Sequence, residues 1–288
     1  MLAIKHILFP VDFSDRCATA VPFVQAMSTR FGAKITLLST AQPFYYGSMG
    51  DPSQLVMVDT ETLIRVLTER LDNFTAKTFA NFQVERHTEL GDAAESITSF
   101  ADEHAVDLIM MATHGYGPFR SLLLGSVAAK VLHDAKCAVW TAAHETQPPS
   151  QDHLNPRTVL CAVETAPENV ALMQRAAEIS KASGATLRLI HVVPGMESFP
   201  ASQMNQQFEH DMKLEAKTQI EKLQASAGVE AELCVDAGSV AVAVREEAER
   251  HGAGLVVIGR GVLHETLGRL RSNSYAIIRH APCPVLSV

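Results

Sequence analysis

The chain of 288 residues is long enough for two ordinary domains, each burying its own core. With 47% hydrophobic and 19% charged residues, and no uncharged apolar run of about 18 residues, the composition excludes a disordered chain and a membrane-spanning helix. The net charge of −8 opposes attraction to a phosphodiester backbone, so neither nucleic acid nor a membrane is an expected partner.

The first apolar run, Ile7 to Val11, is interrupted by Lys5 and His6 before it and closed by Asp12, too short for a secretory core. Five scattered cysteines, Cys17, Cys137, Cys161, Cys234 and Cys283, form no C-x-x-C pair and suit reduced thiols. A cytoplasmic setting is the expectation. Continuous apolar runs predict strands over about 4–11, 34–40, 84–89, 106–112 and 137–142, of the kind buried on both faces of a parallel sheet. Between them, Ser14 is the expected N-cap of a helix ending near Gly32, with a kink expected at Pro22. Further helices are predicted over about 58–82, 92–105 and 126–135. Tyr45 to Pro52 carries no period and reads as a loop. His144 to Pro156, polar and with three prolines, has the chemistry of a linker.

The second half repeats the first. Ile7–Asp12 (ILFPVD) matches Val159–Glu164 (VLCAVE), and Ile35–Thr40 matches Leu187–Val192, both at an offset of 152 residues. Asp107–Ala112 then matches Gly254–Gly259 at 147, and Cys137–Trp140 matches Cys283–Leu286 at 146. Pro167 and Gly184 bracket the counterpart of the first helix. From Gln203 to Gln224, apolar residues at helical spacing (Met204, Phe208, Met212, Leu223) describe an amphipathic helix packed on its sheet. The fold class is therefore α/β, two tandem doubly wound domains, each an open five-stranded parallel sheet flanked by helices. Domain one is expected over residues 1–146, a linker over 147–156, and domain two over 157–288.

In such a sheet, ligands gather beyond the carboxyl ends of the strands where strand order reverses. Asp12 ends the first strand, where it either accepts hydrogen bonds from a ligand or simply complements the dipole of the following helix. Met111-Ala-Thr-His-Gly115 is followed, nine residues on, by Gly125-Ser126-Val127 at a helix start. Glycine turns and a helix N-terminus suit a phosphate, whereas Gly115 and Gly117 otherwise only shape a loop and Ser126 only caps the helix.

Several motifs are absent: there is no G-x-x-x-x-G-K-(S/T), G-x-S-x-G or H-E-x-x-H. His114 reads first as a loop-structuring side chain, and Arg120 as a solvated one with a terminal phosphate within its possible reach. His133, His144 and His153 have no metal-ligand spacing. No catalytic or metal-binding residue is expected.

On these residues, ILFPVDFS (7–14), DLIMMATHG (107–115), LLLGSV (122–127) and HAPCPV (280–285), the chain resembles the universal stress protein family as a tandem of two family domains. The resemblance implies a stress-response protein that binds ATP, with or without magnesium, as a nucleotide-dependent sensor or regulator. Hydrolysis would be slow or absent, since no Walker lysine or general base is evident. ATP-binding members carry G-x-x-G-x9-G-(S/T), and here Ala112 takes the place of the first glycine. By this resemblance Val11 and Asp12 would hold the adenosine and Thr40 and Ala41 would flank the adenine. Met111, Ala112, His114, Gly115, Gly125, Ser126 and Val127 would surround the phosphates. The loop after the second strand becomes a flap over the adenine end or an ordinary surface loop.

The second half departs from that pattern. Glu164 replaces the aspartate, Gly259-Arg-Gly261 is one residue shorter than its counterpart, and Arg271-Ser272 replaces Gly125-Ser126. Arg271 is expected either to neutralise the pocket or to lie beside an unused one. The resemblance further implies that the last strands of the two domains pair within the chain, covering two open edges. A homodimer and a protein partner of unknown identity complete the expectation.

Overall fold

The computed structural model describes residues 4–42, 45–46, 56–57, 59–113, 124–142, 151–195, 206–260 and 272–288. The chain divides into two compact units, 4–139 and 140–288.

In the first half, β1 (His6–Pro10), α1 (Asp15–Phe31), β2 (Lys34–Ala41), α2 (Thr60–Thr78), β5 (Val84–Leu90), α3 (Ala93–Glu103), β6 (Leu108–Met111), α4 (Ser126–Asp134) and β7 (Ala138–Thr141) alternate as predicted. The strand order β7-β6-β1-β2-β5 is that of a doubly wound sheet, with β1 pairing in parallel with β2 and β6. Ile7, Leu8 and Phe9 on β1 and Leu108, Ile109 and Met110 on β6 are fully buried, which is why these strands appear in the sequence as unbroken apolar runs. Phe9 meets Phe79 edge to face, the ring centroids 6.3 Å apart.

Helix α1 begins on the Ser14 cap, whose Oγ accepts from Cys17 N, and ends at Gly32, whose φ of 64° is open to glycine without strain. It runs on as one element through Pro22. The loop expected after β2 carries the short strand β3 (Tyr45–Tyr46), which pairs antiparallel with β4 (Val56–Met57) beyond it. Within the expected linker, α5 (Gln151–Leu154) forms a single helical turn.

The second half repeats the order with β8 (Thr158–Ala162), α6 (Asn169–Ser183), β9 (Thr186–Val193), α7 (Gln206–Ala227), β10 (Glu232–Ala237), α8 (Val240–Arg250), β11 (Leu255–Ile258), α9 (Ser272–His280) and β12 (Val285–Ser287). Strands run β12-β11-β8-β9-β10, the same order as the first half. On α7 the buried stripe is Ala216, Ile220, Gln224 and Ala227. The expected Phe208, Met212 and Leu223 flank it half-buried, so Ala216, Ile220, Gln224 and Ala227 seat the helix instead, and Met204 lies outside the described residues. No described helix is long and apolar enough to cross a membrane.

Candidate functional site

In the first half, the chain leaves β1 through α1 toward β2 and later returns to β6 on the other side of β1, so strand order reverses between β1 and β6. A crevice at their carboxyl ends is the ordinary ligand position of this architecture. Asp12 and Ala112, which follow these two strands, flank it.

The turn after β1 is tightly specified. Val11 is buried, its N–H donating to Leu38 O at 2.8 Å and its carbonyl accepting from Ser39 Oγ at 2.9 Å. Asp12 is exposed, and its Oδ1 accepts from Ser14 N at 2.9 Å and from Ser14 Oγ at 2.7 Å. Between them Phe13 adopts φ 62°, a conformation that costs a bulky residue about 1–3 kcal/mol and persists only where its surroundings enforce it. Here the Asp12–Ser14 bonds close the turn, while the Phe13 ring packs edge-on to Phe74 (6.1 Å) under the Arg70 guanidinium (4.3 Å). Cys17 lies beneath this turn. Burial pushes its thiol up to about 12, with the Asp12 charge acting in the same direction, so it is a packed thiol rather than a nucleophile.

Thr40 and Ala41 end β2, half-buried, with Ala41 O accepting from Gly91 N at 3.0 Å. At the end of β6, Met111 is buried and Ala112 half-buried. The next carbonyl, that of buried Thr113, accepts from Gly125 N at 2.9 Å. That bond brings the two ends of the expected phosphate loop together across the intervening residues. His114, Gly115 and Arg120 lie outside the described residues.

Helix α4 differs from the three before it. Helices α1, α2 and α3 are capped by the side chains of Ser14, Asp59 and Asp92. Helix α4 has Gly125 at its N-cap and no side-chain cap, with Ser126 exposed as the first helical residue and Val127 half-buried behind it. Ser126 is therefore not the cap. Its hydroxyl and the first amides of α4 compose a terminus whose dipole favours an anion. Ala112 does not adopt the positive φ that would favour glycine there: among the described residues, Phe13 and Ala105 are the non-glycine residues with that conformation. What remains of the Gly-to-Ala difference is one methyl group.

The second half closes its corresponding turn by other means. Glu164 N donates to Asn169 Oδ1 at 3.0 Å and Asn169 Nδ2 to Ala166 O at 3.2 Å, so an amide on α6 does what Asp12 and Ser14 do in the first half. Val163 N donates to Ile190 O at 2.9 Å, matching Val11. Its carbonyl, however, is met by a histidine: His191 Nδ1 lies 2.8 Å from Val163 O, where the first half has Ser39. At the ends of β8, β9 and β11 and against α8 and α9 there is a cavity of about 290 Å³. Arg260 N donates to Val288 O at 3.0 Å. Gly261 and Arg271 lie outside the described residues, as does His144. No cluster of three or more metal-ligating side chains is present among the described residues.

The sequence reading missed Phe13, Ser39, Asn169 and His191. Ser39 and His191 were accessible in principle, since the 152-residue offset aligns them. Phe13 was not, since phenylalanine carries no signal for a left-handed turn.

The model of the universal stress protein family matches residues 3–142 and again residues 155–288. The chain belongs to that family. It is 31% identical over 138 residues to a universal stress protein of Thermus aquaticus, an alignment covering 47% of this chain and 96% of the relative. A universal stress protein of Methanocaldococcus jannaschii is 29% identical over 139 residues, covering 47% of this chain and 79% of its own length. The whole chain superimposes on a universal stress protein from Archaeoglobus fulgidus with a TM-score of 0.69 and 21% identity, covering 100% of this chain and 97% of that one. This last likeness is one of fold. As a tandem member of the family, the chain has two family domains.

Proposed function

We propose that the first half of this tandem universal stress protein binds ATP and acts as a nucleotide-dependent sensor or regulator with little or no hydrolysis. The observation that carries this reading is the uncapped N-terminus of α4, tied to the end of β6 by the Gly125–Thr113 bond. In this reading the Ser126 hydroxyl and the amides of Ser126 and Val127 hold phosphate oxygens beside Met111 and Ala112. His114 and Gly115 complete the loop. Asp12 Oδ2 accepts from a ribose hydroxyl while Oδ1 keeps the turn closed. Thr40 and Ala41 border the adenine, and magnesium accompanies the phosphates. The second half contributes a family fold without this phosphate site. The protein works in the cytoplasm as a homodimer, passing nucleotide occupancy to a protein partner.

The test is Gly125→Asp in the full chain, followed by titration calorimetry with Mg-ATP. Aspartate is a favoured N-cap, so α4 should hold and the thermal midpoint should not fall. Its carboxylate faces the phosphates, and affinity should drop by about 100-fold or more. An unchanged affinity in a folded variant would remove the phosphates from α4 and overturn the reading.

A further inference from the structure

The cavity of the second half, as its described residues line it, does not have the chemistry of a phosphate site. At about 290 Å³ it is roughly twice the ~150 Å³ known to admit a benzene ring, which sets the enclosed body at about a dozen non-hydrogen atoms. That is far less than a nucleoside triphosphate. Its walls are largely apolar, with Ile190, Val240, Val244, Ile258 and Ile277 among the lining residues. Of the described lining residues none is lysine or arginine, and one, Glu164, is a carboxylate.

Of the polar residues that line it, Glu164, Thr165, Asn169, His191, Asn273 and Ser274, the side chains of Asn169 and Ser274 are engaged on neighbouring backbone. Asn169 uses its oxygen on Glu164 N and its nitrogen on Ala166 O, and Ser274 Oγ donates to Gly259 O at 3.4 Å. His191 is different. A carbonyl only accepts, so Nδ1 carries the proton shared with Val163 O at 2.8 Å, and the neutral ring is fixed as the tautomer with a bare Nε2. Among the described residues Nε2 has no hydrogen-bond partner. A recess with apolar walls and an imidazole acceptor held in one orientation suits a ligand with an apolar body and a donor for Nε2.

We infer that the second half binds an uncharged, phosphate-free molecule of one or two rings whose N–H or O–H donates to His191 Nε2. The inference does not depend on ATP binding in the first half, which is measured separately by the calorimetry above.

The experiment uses the full chain and saturation-transfer NMR with indole, which carries one N–H, and 1-methylindole, which carries none. Indole should bind saturably, 1-methylindole about ten-fold more weakly, as expected for one sheltered hydrogen bond, and excess Mg-ATP should not displace indole. His191→Ser installs the group that meets the same carbonyl in the first half, and it should weaken indole about ten-fold while leaving 1-methylindole unchanged. Val240→Phe, at the half-buried start of α8, should fill the recess and abolish both. Absence of indole binding, equal affinity for the two probes, insensitivity to both substitutions, or displacement by ATP would each overturn the inference.

Discussion

The two halves share a fold but close the same turn with different chemistry. After β1, an aspartate and a serine hold Phe13 in a left-handed conformation, whereas after β8 the amide of Asn169 does the work from inside the helix. Beside that turn, a serine hydroxyl in one half and an imidazole in the other meet equivalent valine carbonyls. The strands beneath are buried on both faces and tolerate little, while the ends of the strands lie where a few side chains decide what fits. The duplicated chain thus retains one scaffold and builds the ends of its strands differently in the two halves.

The sharpest way to break that comparison is to remove the two acidic residues in turn. Asp12→Ala deletes the acceptor of both Ser14 bonds beside a strained residue and should destabilise the first half by about 2 kcal/mol in urea unfolding. Glu164→Ala should cost less than Asp12→Ala, because the second turn is closed through the Glu164 N–H, which the substitution keeps. Equal losses would mean that the turns are built alike after all.

The amino-terminal end of the sheet offers a second contrast. His6, buried, donates from Nδ1 to His104 O at 3.2 Å and meets Thr36 Oγ1 at 2.8 Å with Nε2. Burial, aided by the charge of Lys34, holds its pKa below the ordinary 6.5 despite the opposing charges of Glu85 and Asp107. The folded state therefore takes up this proton less readily than the unfolded one, so stability is complete above pH 6.5 and declines as pH falls below it. The counterpart in the second half is Thr158, which does not titrate. Between pH 7.5 and 5.5 the wild-type thermal midpoint should fall by more than that of His6→Thr, and an identical fall would show that His6 does not contribute.

The smallest effect expected is at Ala112. Since its backbone does not adopt a positive φ, Ala112→Gly should change ATP affinity less than about three-fold by calorimetry. A large gain would mean that the methyl group itself obstructs the phosphates.

Much of this arrangement was legible in the sequence. A parallel sheet buried on both faces is encoded as unbroken apolar runs, and ILFPV and LIMM mark β1 and β6 to within a few residues. The repeat offsets located the second copy, and Ser14 and Gly32 marked both ends of α1. Shorter features were not readable: two-residue strands such as β3 and β4 have no period to detect, and the single turn of α5 is lost among prolines. At the site, Asp12, Gly125 and Ser126 stood out by residue type. Their division of labour did not, because whether Ser126 caps α4 or follows a glycine cap depends on one position of helix register. The pairing of His191 with Val163 depends on a neighbouring strand that local sequence does not specify.

The most direct measurement of the account as a whole is equilibrium dialysis of the full chain against labelled Mg-ATP, with released diphosphate followed in the same samples. One ATP per chain, retained without appreciable turnover and absent from Gly125→Asp, is the predicted result. Two ATP per chain would contradict the assignment of different sites to the two halves, and none would contradict the nucleotide site itself.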